Sequence, residues 1–219
     1  MPTAAYDEIA DWYEHDYIET YGRQDVIGVG HLIDELLGHG TGTCLEVGCG
    51  TGFHADRIRH LGWTPVGVDL SANMLRHARD RLPTARADAT RLPIMDSSVP
   101  AALTVMTHTD MPAYESVLRE VRRVLRPGGL FVHIGVHPCF CGGFADRTDP
   151  SAIVIRPGYR SNYWTTDSWT SQGLRNRVGA THWPLAALLN AFLAAGLTLE
   201  YFAENDKDPS PIVLALRAR

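Results

Sequence analysis

The residues with the clearest chemical spacing are Glu46-Val-Gly48-Cys-Gly50-Thr-Gly52. They follow the short apolar run 43–47 and precede a helical pattern over 53–61. Glycines in such a turn let the backbone reverse tightly and let a ligand approach the main chain without a Cβ in the way. The helix behind the turn offers free N–H groups. A dinucleotide site of the G-x-G-x-x-G kind requires glycine at position 53, and Phe53 stands there. The spacing is instead acidic-x-G-x-G-x-G, in the strand–turn–helix context that gives a glycine run meaning.

That spacing resembles the first motif of the class I S-adenosylmethionine-dependent methyltransferases, including the acidic residue two positions before the first glycine. The resemblance continues through Leu92-Pro93, Met106-Thr-His108 and Val121-Arg-Arg-Val-Leu-Arg-Pro-Gly-Gly129, and is similar to the bacterial small-molecule branch of the family. It covers roughly residues 40–136, with weaker extensions at Tyr6-Asp-Glu-Ile-Ala10 with Tyr13 and at 178–185. It implies S-adenosyl-L-methionine as cofactor, touched by Tyr13, Glu46, Gly48, Cys49, Gly50, Gly52, Asp69, Leu70, Met74, Asp88, Ala89, Met106 and His108. Asp69, seventeen residues past Gly52, can accept both ribose hydroxyls, and the resemblance implies that Asp88 meets the adenine amino group. Leu70 and Met74 offer apolar contact to the adenosine. Each acid alone reads equally well as a turn cap, a helix N-cap or a strand-end residue; their joint spacing favours cofactor binding.

In-line transfer from a sulfonium needs the acceptor held about 3–3.5 Å from the methyl, and a base where that acceptor is a hydroxyl or protonated amine. Histidine suits the role. His108 follows the fourth expected strand, where the resemblance puts the transferred methyl, and is the first candidate; packing over the cofactor is its equal alternative. His137 and His182 are the others, each reading more readily as structural. Tyr159, Tyr163, Trp164, Trp169 and Trp183, with His182, are expected to wall the acceptor pocket or to bury the segment that carries them. Arg156, Arg160, Arg175 and Arg177 either bind an acidic substrate group or are solvated.

Short apolar strands alternating with helices must position these groups. Helical spacing over 5–37 is broken by Gly22 and by Gly28 and Gly30; strands are expected at 43–47, 64–69, 85–88, 101–106, 130–136, 197–202 and 212–216. Ser71 is the expected N-cap of a helix to about Arg81; further helices are expected at 114–125 and 184–195, the former ended by Pro127-Gly-Gly129. The class is α/β, a Rossmann-like doubly wound fold with a mainly parallel seven-stranded sheet and helices on both faces. A single domain divides into N-terminal cap helices (1–38), a cofactor core (43–136), an inserted substrate lid (137–183) and a final helix with strands (184–219).

With 219 residues, 45% of them apolar and 21% charged, the chain has the balance of one globular domain. A formal charge of −5 argues against nucleic acid or an anionic membrane as partner. Neither a secretory signal nor a membrane span is legible, so the expected address is the cytoplasm, with Cys44, Cys49, Cys139 and Cys141 reduced. Cys139-Phe-Cys141 lacks a second ligand pair, and no metal is expected. The expected partner is a small-molecule acceptor of a methyl group at O or N, met by a monomer or homodimer. The competing readings are a cofactor-binding protein without methyl transfer or with another reaction, a protein or RNA methyltransferase, and, remotely, a nicotinamide oxidoreductase.

Overall fold

The computed structural model describes residues 4–149, 151–167, 173–206 and 210–219. Seven strands form one sheet: β1 (Thr43–Val47), β2 (Thr64–Asp69), β3 (Thr84–Arg86), β4 (Val99–Val105), β5 (Leu125–Val136), β10 (Leu199–Glu204) and β11 (Val213–Ala218), in the order β10-β11-β5-β4-β1-β2-β3. Strands β1 to β5 run parallel, whereas β11 is antiparallel to both β5 and β10. Because β1 has β2 on one side and β4 on the other, the strand order reverses there and a crevice opens at the carboxyl ends. This is the doubly wound, mainly parallel α/β architecture expected from the sequence.

Alternate strand residues feed two cores. Leu45, Val47, Phe131 and Leu216 pack beneath α5 (Tyr114–Val124) and α7 (Leu185–Ala194). Cys44, Leu103, Val132 and Ala215 pack beneath α2 (Val29–Leu37) and α3 (Ala55–His60). A third cluster joins Cys49 and Ala55 to Leu75 and Ala78 of α4 (Ala72–Ala78), whose N-cap is Ser71, its Oγ accepting from Met74 N–H at 3.1 Å.

The boundaries differ locally from the sequence expectation. The N-terminal arm is a 3-10 turn (Ala5–Glu8), then α1 (Ala10–Trp12), then a π-helical stretch (Tyr13–Gly22), and Gly28 at φ 74° starts α2. Helix α4 ends at Ala78, short of Arg81, and β3 ends two residues before Asp88. Pro127-Gly-Gly129 does not precede β5 but lies within it, as the irregularity by which Val99 pairs with Leu125 and Ala101 with Leu130. The segment between β5 and α7 carries two small pairs of strands, β6 (Ala145–Asp146) with β7 (Val154–Ile155) and β8 (Tyr163–Thr165) with β9 (Ala180–His182), plus α6 (Leu174–Val178). Among the described residues no helix is long and apolar enough to cross a membrane.

Candidate functional site

The glycine turn after β1 forms one wall of a cavity of about 910 Å³ at the carboxyl ends of the strands. Gly48 has φ +73°, and a Cβ there would lie 2.6 Å from Thr107 Cγ2 and 2.9 Å from Met111 Cε, so the wall is bare backbone at that point. Gly52 serves packing instead: its Cβ would strike Leu82 Cδ2 at 2.4 Å, and it does not line the cavity. Cys49 points under the turn against Gly67, where burial pushes its thiol up, and it too is off the cavity wall.

Two carboxylates organise the turn. Asp69, at the end of β2, accepts from Gly50 N–H and from Ser71 N–H, both at 2.8 Å, and burial raises its pKa. Each oxygen retains an acceptor site beyond those bonds. Glu46 is buried within β1, with Oε2 unpartnered among the described residues; burial first and Asp69 second push it up to about 8. Asp88 lies exposed on the rim, its Oδ1 accepting from Thr90 N–H (2.8 Å) and Oγ1 (2.7 Å). Leu70, Met74, Ala89 and Met106 complete this side, Met106 at φ 56°. A bare backbone turn, a buried carboxyl without a partner and an acid at the end of β2 suit an adenosyl ligand with a cationic amino-acid end, so these residues fit S-adenosylmethionine.

The N-terminal arm roofs the cavity. Asp7, Asp11 and Glu14 form its outer seam: Asp7 Oδ1 accepts from Ser71 Oγ (2.6 Å) and Asn73 N–H (3.1 Å), Asp11 from Arg76 and His77 (both 2.8 Å), and Glu14 pairs with Arg81. Its inner face presents Tyr6, Tyr13, Tyr17 and Tyr21 to the cavity, with Tyr13 stacked on Tyr17 at 5.1 Å and edge-on to Tyr6 at 5.8 Å. Burial raises the phenols of Tyr6, Tyr13 and Tyr17, keeping them protonated. Across the mouth, Asp110 takes a hydrogen bond from Tyr6 Oη (3.2 Å) and a buried ion pair from Arg175 of α6, while Arg177 covers the Trp12 ring at 4.4 Å. Arm and insertion are thereby latched together over the site.

The three histidines proposed as bases face elsewhere. His108 is buried on the α5 side of the sheet, its ring 5.1 Å from that of His133 and 6.0 Å from that of Tyr114, and burial lowers its pKa. The neighbouring strand position is already filled by His133, bonded through Nδ1 to Tyr114 Oη (2.8 Å) and Thr104 Oγ1 (3.0 Å), and His108 packs edge-on against that network. His137 is a clip: Nε2–H donates to Glu204 at 2.7 Å and Nδ1 accepts from Cys139 N–H at 3.1 Å. His182 donates from Nε2 to the Tyr159 carbonyl at 2.7 Å and sits among the rings of Phe144, Tyr159 and Tyr163.

The aromatic set divides the same way. Trp164 lines the cavity, and a Cβ at Gly179 would lie 2.3 Å from its ring. Trp183 belongs to the core beneath α7, while Tyr159 and Tyr163 pack around His182. Trp169 lies outside the described residues. Arg175 pairs with Asp110 and Arg156 with Asp146 (2.7 Å). The thiols of the C-x-C pair diverge, Cys139 to Tyr159 Oη at 3.6 Å and Cys141 to the Ile212 carbonyl at 3.8 Å.

Sequence reasoning missed His54, Asp110 and Arg147, all on the cavity wall. His54 caps α3 two residues beyond the glycine run, a spacing that was available as a signal; burial, then the Arg57 charge, lowers it to about 4, so it is neutral near pH 7. Asp110 and Arg147 carry no motif, since both reach the wall only through tertiary folding.

Residues 45–133 match the "Methyltransferase domain" family model. The chain is 35% identical over 133 residues to methyltransferase GfsG of Streptomyces halstedii, the alignment taking in 56% of this chain and 44% of that protein. It is 36% identical over 101 residues to a fatty-acid O-methyltransferase of Mycolicibacterium smegmatis, covering 43% and 37%. Both alignments thus span less than half of the relative. A crystal structure of an S-adenosylmethionine-dependent methyltransferase from Mesorhizobium loti superposes with a TM-score of 0.73 at 23% identity, over 88% of this chain and 97% of that one, which shows a common fold. The motif-bearing core thus lies in the part of the chain that matches a methyltransferase domain, and the strand order and glycine-turn wall are those of a fold shared with an S-adenosylmethionine-dependent methyltransferase.

Proposed function

We propose that this protein transfers a methyl group from S-adenosylmethionine to an oxygen or nitrogen of a small molecule. One observation carries the reading: the Gly48 turn, Asp69 and Asp88 line a single cavity that continues beyond them beneath a latched roof. Such an enclosure suits a small molecule better than a polymer. The name of one relative, a fatty-acid O-methyltransferase, supports a small acceptor.

S-adenosylmethionine, when bound, supplies an electrophilic methyl on a sulfonium. The chain's own residues bind and orient. Asp69 accepts from the ribose hydroxyls while fixing the turn through Gly50 and Ser71. Asp88 takes the adenine amino group, and Glu46 is the buried carboxyl available to the ammonium of the amino-acid end. The tyrosine face of the arm excludes water, which strengthens these contacts.

Calorimetric titration with S-adenosylhomocysteine is expected to show one site per chain. Asp69→Ala is expected to weaken it by about 2–3 kcal/mol, the scale of lost charge-assisted hydrogen bonds. A folded protein that takes up no S-adenosylhomocysteine overturns the reading.

A further inference from the structure

The cavity has two ends set by strand order. Asp69 and Asp88 follow β2 and β3, whereas Val136 ends β5, three strands from β2, or about 14 Å away at ordinary strand spacing. The far end is apolar, walled by Val26, Ile27, Val29, Val105, Val136 and Ile212. Arg147, just past β6, lines the same cavity.

Four arginines line the cavity, and three are in ion pairs: Arg23 with Glu19 (2.6 Å), Arg57 with Asp34 (2.6 Å) and Arg175 with Asp110. Arg147 has no ion pair among the described residues; its one hydrogen bond is a 3.4 Å contact to the Phe140 carbonyl. The acids nearest in sequence are engaged, Asp146 with Arg156 and Asp149 with Ser151. A half-buried guanidinium against an apolar wall favours a planar anion that it can grip through two N–H groups.

Resting on the methyltransferase reading, we infer that the acceptor is an apolar carboxylic acid whose carboxylate is held by Arg147. The chemistry of the wall agrees. His108, His137 and His182 face away, and an ionised carboxylate, unlike an alcohol or ammonium, needs neither them nor the neutral His54 on the wall as a base. Methyl transfer to it forms an O–CH3 bond as the S–CH3 bond breaks, the bonding pair stays on sulfur, and no proton moves. A cation and an anion become two neutral products, a change that an apolar enclosure favours over water.

The test is calorimetry of sodium decanoate, methyl decanoate and decylamine with protein preloaded with S-adenosylhomocysteine. Decanoate is expected to bind at least tenfold more tightly than its neutral ester. Arg147→Gln is expected to remove that preference without altering S-adenosylhomocysteine affinity, and Arg147→Lys to restore part of it. Equal binding of acid and ester, preference for decylamine, or an unchanged Arg147→Gln variant overturns the inference while leaving the transferase reading standing. Failure to take up S-adenosylhomocysteine overturns both.

Discussion

The wall made by the ends of β1, β2 and β3 and the cover inserted between β5 and α7 both bury polar side chains, but they aim them oppositely. Just behind the wall, Glu46 has a carboxyl oxygen without a partner among the described residues, and on the wall Asp69 uses its bonds to shape a turn that a ligand meets. On the cover, His137 and His182 spend their nitrogens on Glu204, Cys139 and Tyr159. A parallel strand fixes where its last residue lies, so a polar group there is presented to the crevice. A long insertion has no sheet to fix it and must supply its own interior, and its histidines and aromatics form that interior. The wall binds because the fold places it; the cover holds through the hydrogen bonds of its histidines and presents Arg147 and Trp164 to the cavity.

The largest expected effect breaks this division where the cover meets the arm. Asp110→Ala removes one partner of the ion pair with Arg175, whose side chain is 7% exposed. Removing one member of a buried pair costs about 3–5 kcal/mol. Chemical denaturation should show that loss, together with easier proteolysis of the arm. A fall of under about 1 kcal/mol, the scale of an exposed pair, means that the latch is solvated and the two covers move independently.

The next effect sharpens the account of the wall. Glu46 sits near 8 when the ligand's ammonium is absent, so it is protonated at pH 7. An ammonium beside it favours the carboxylate, and binding below pH 8 then releases a proton. Affinity for S-adenosylhomocysteine is expected to rise about tenfold per pH unit up to about pH 8 and to level off above it, equivalent to about 1.4 kcal/mol per unit. Titrations in buffers of different ionisation enthalpy measure the proton directly. Glu46→Gln should flatten the dependence, and a flat profile in the native protein removes Glu46 from the cofactor's amino-acid end.

The same contrast explains what was legible in the sequence. The glycine spacing and Asp69 are short-range signals tied to one strand and one turn, and the seven strands follow from apolar runs of the right length. Strand ends were misplaced by a few residues where local geometry decides, as at Pro127-Gly-Gly129, which β5 absorbs as an irregularity. His133 was invisible because a histidine inside an apolar run looks like any strand residue, yet it anchors Tyr114 and Thr104 in the core. The aromatic block was legible as composition but not as direction: Trp164 faces the cavity and Trp183 the core, and nothing in their spacing separates them. Arg147 became visible only when every other arginine on the wall was found to have an ion-pair partner.

The smallest expected effect tests the cover itself. His182→Phe keeps a ring of similar size among Phe144, Tyr159 and Tyr163 but loses the hydrogen bond to the Tyr159 carbonyl. One neutral hydrogen bond is worth about 1 kcal/mol, so stability should fall by that amount. Burial already lowers the pKa of His182, so a structural imidazole stays neutral through the physiological range and leaves no ionisation in the pH profile of methyl transfer. The variant should therefore keep kcat and the shape of that profile. If an ionisation disappears from the profile instead, His182 takes part in proton transfer, and the contrast between a wall that presents its polar groups and cover histidines that only hold structure fails.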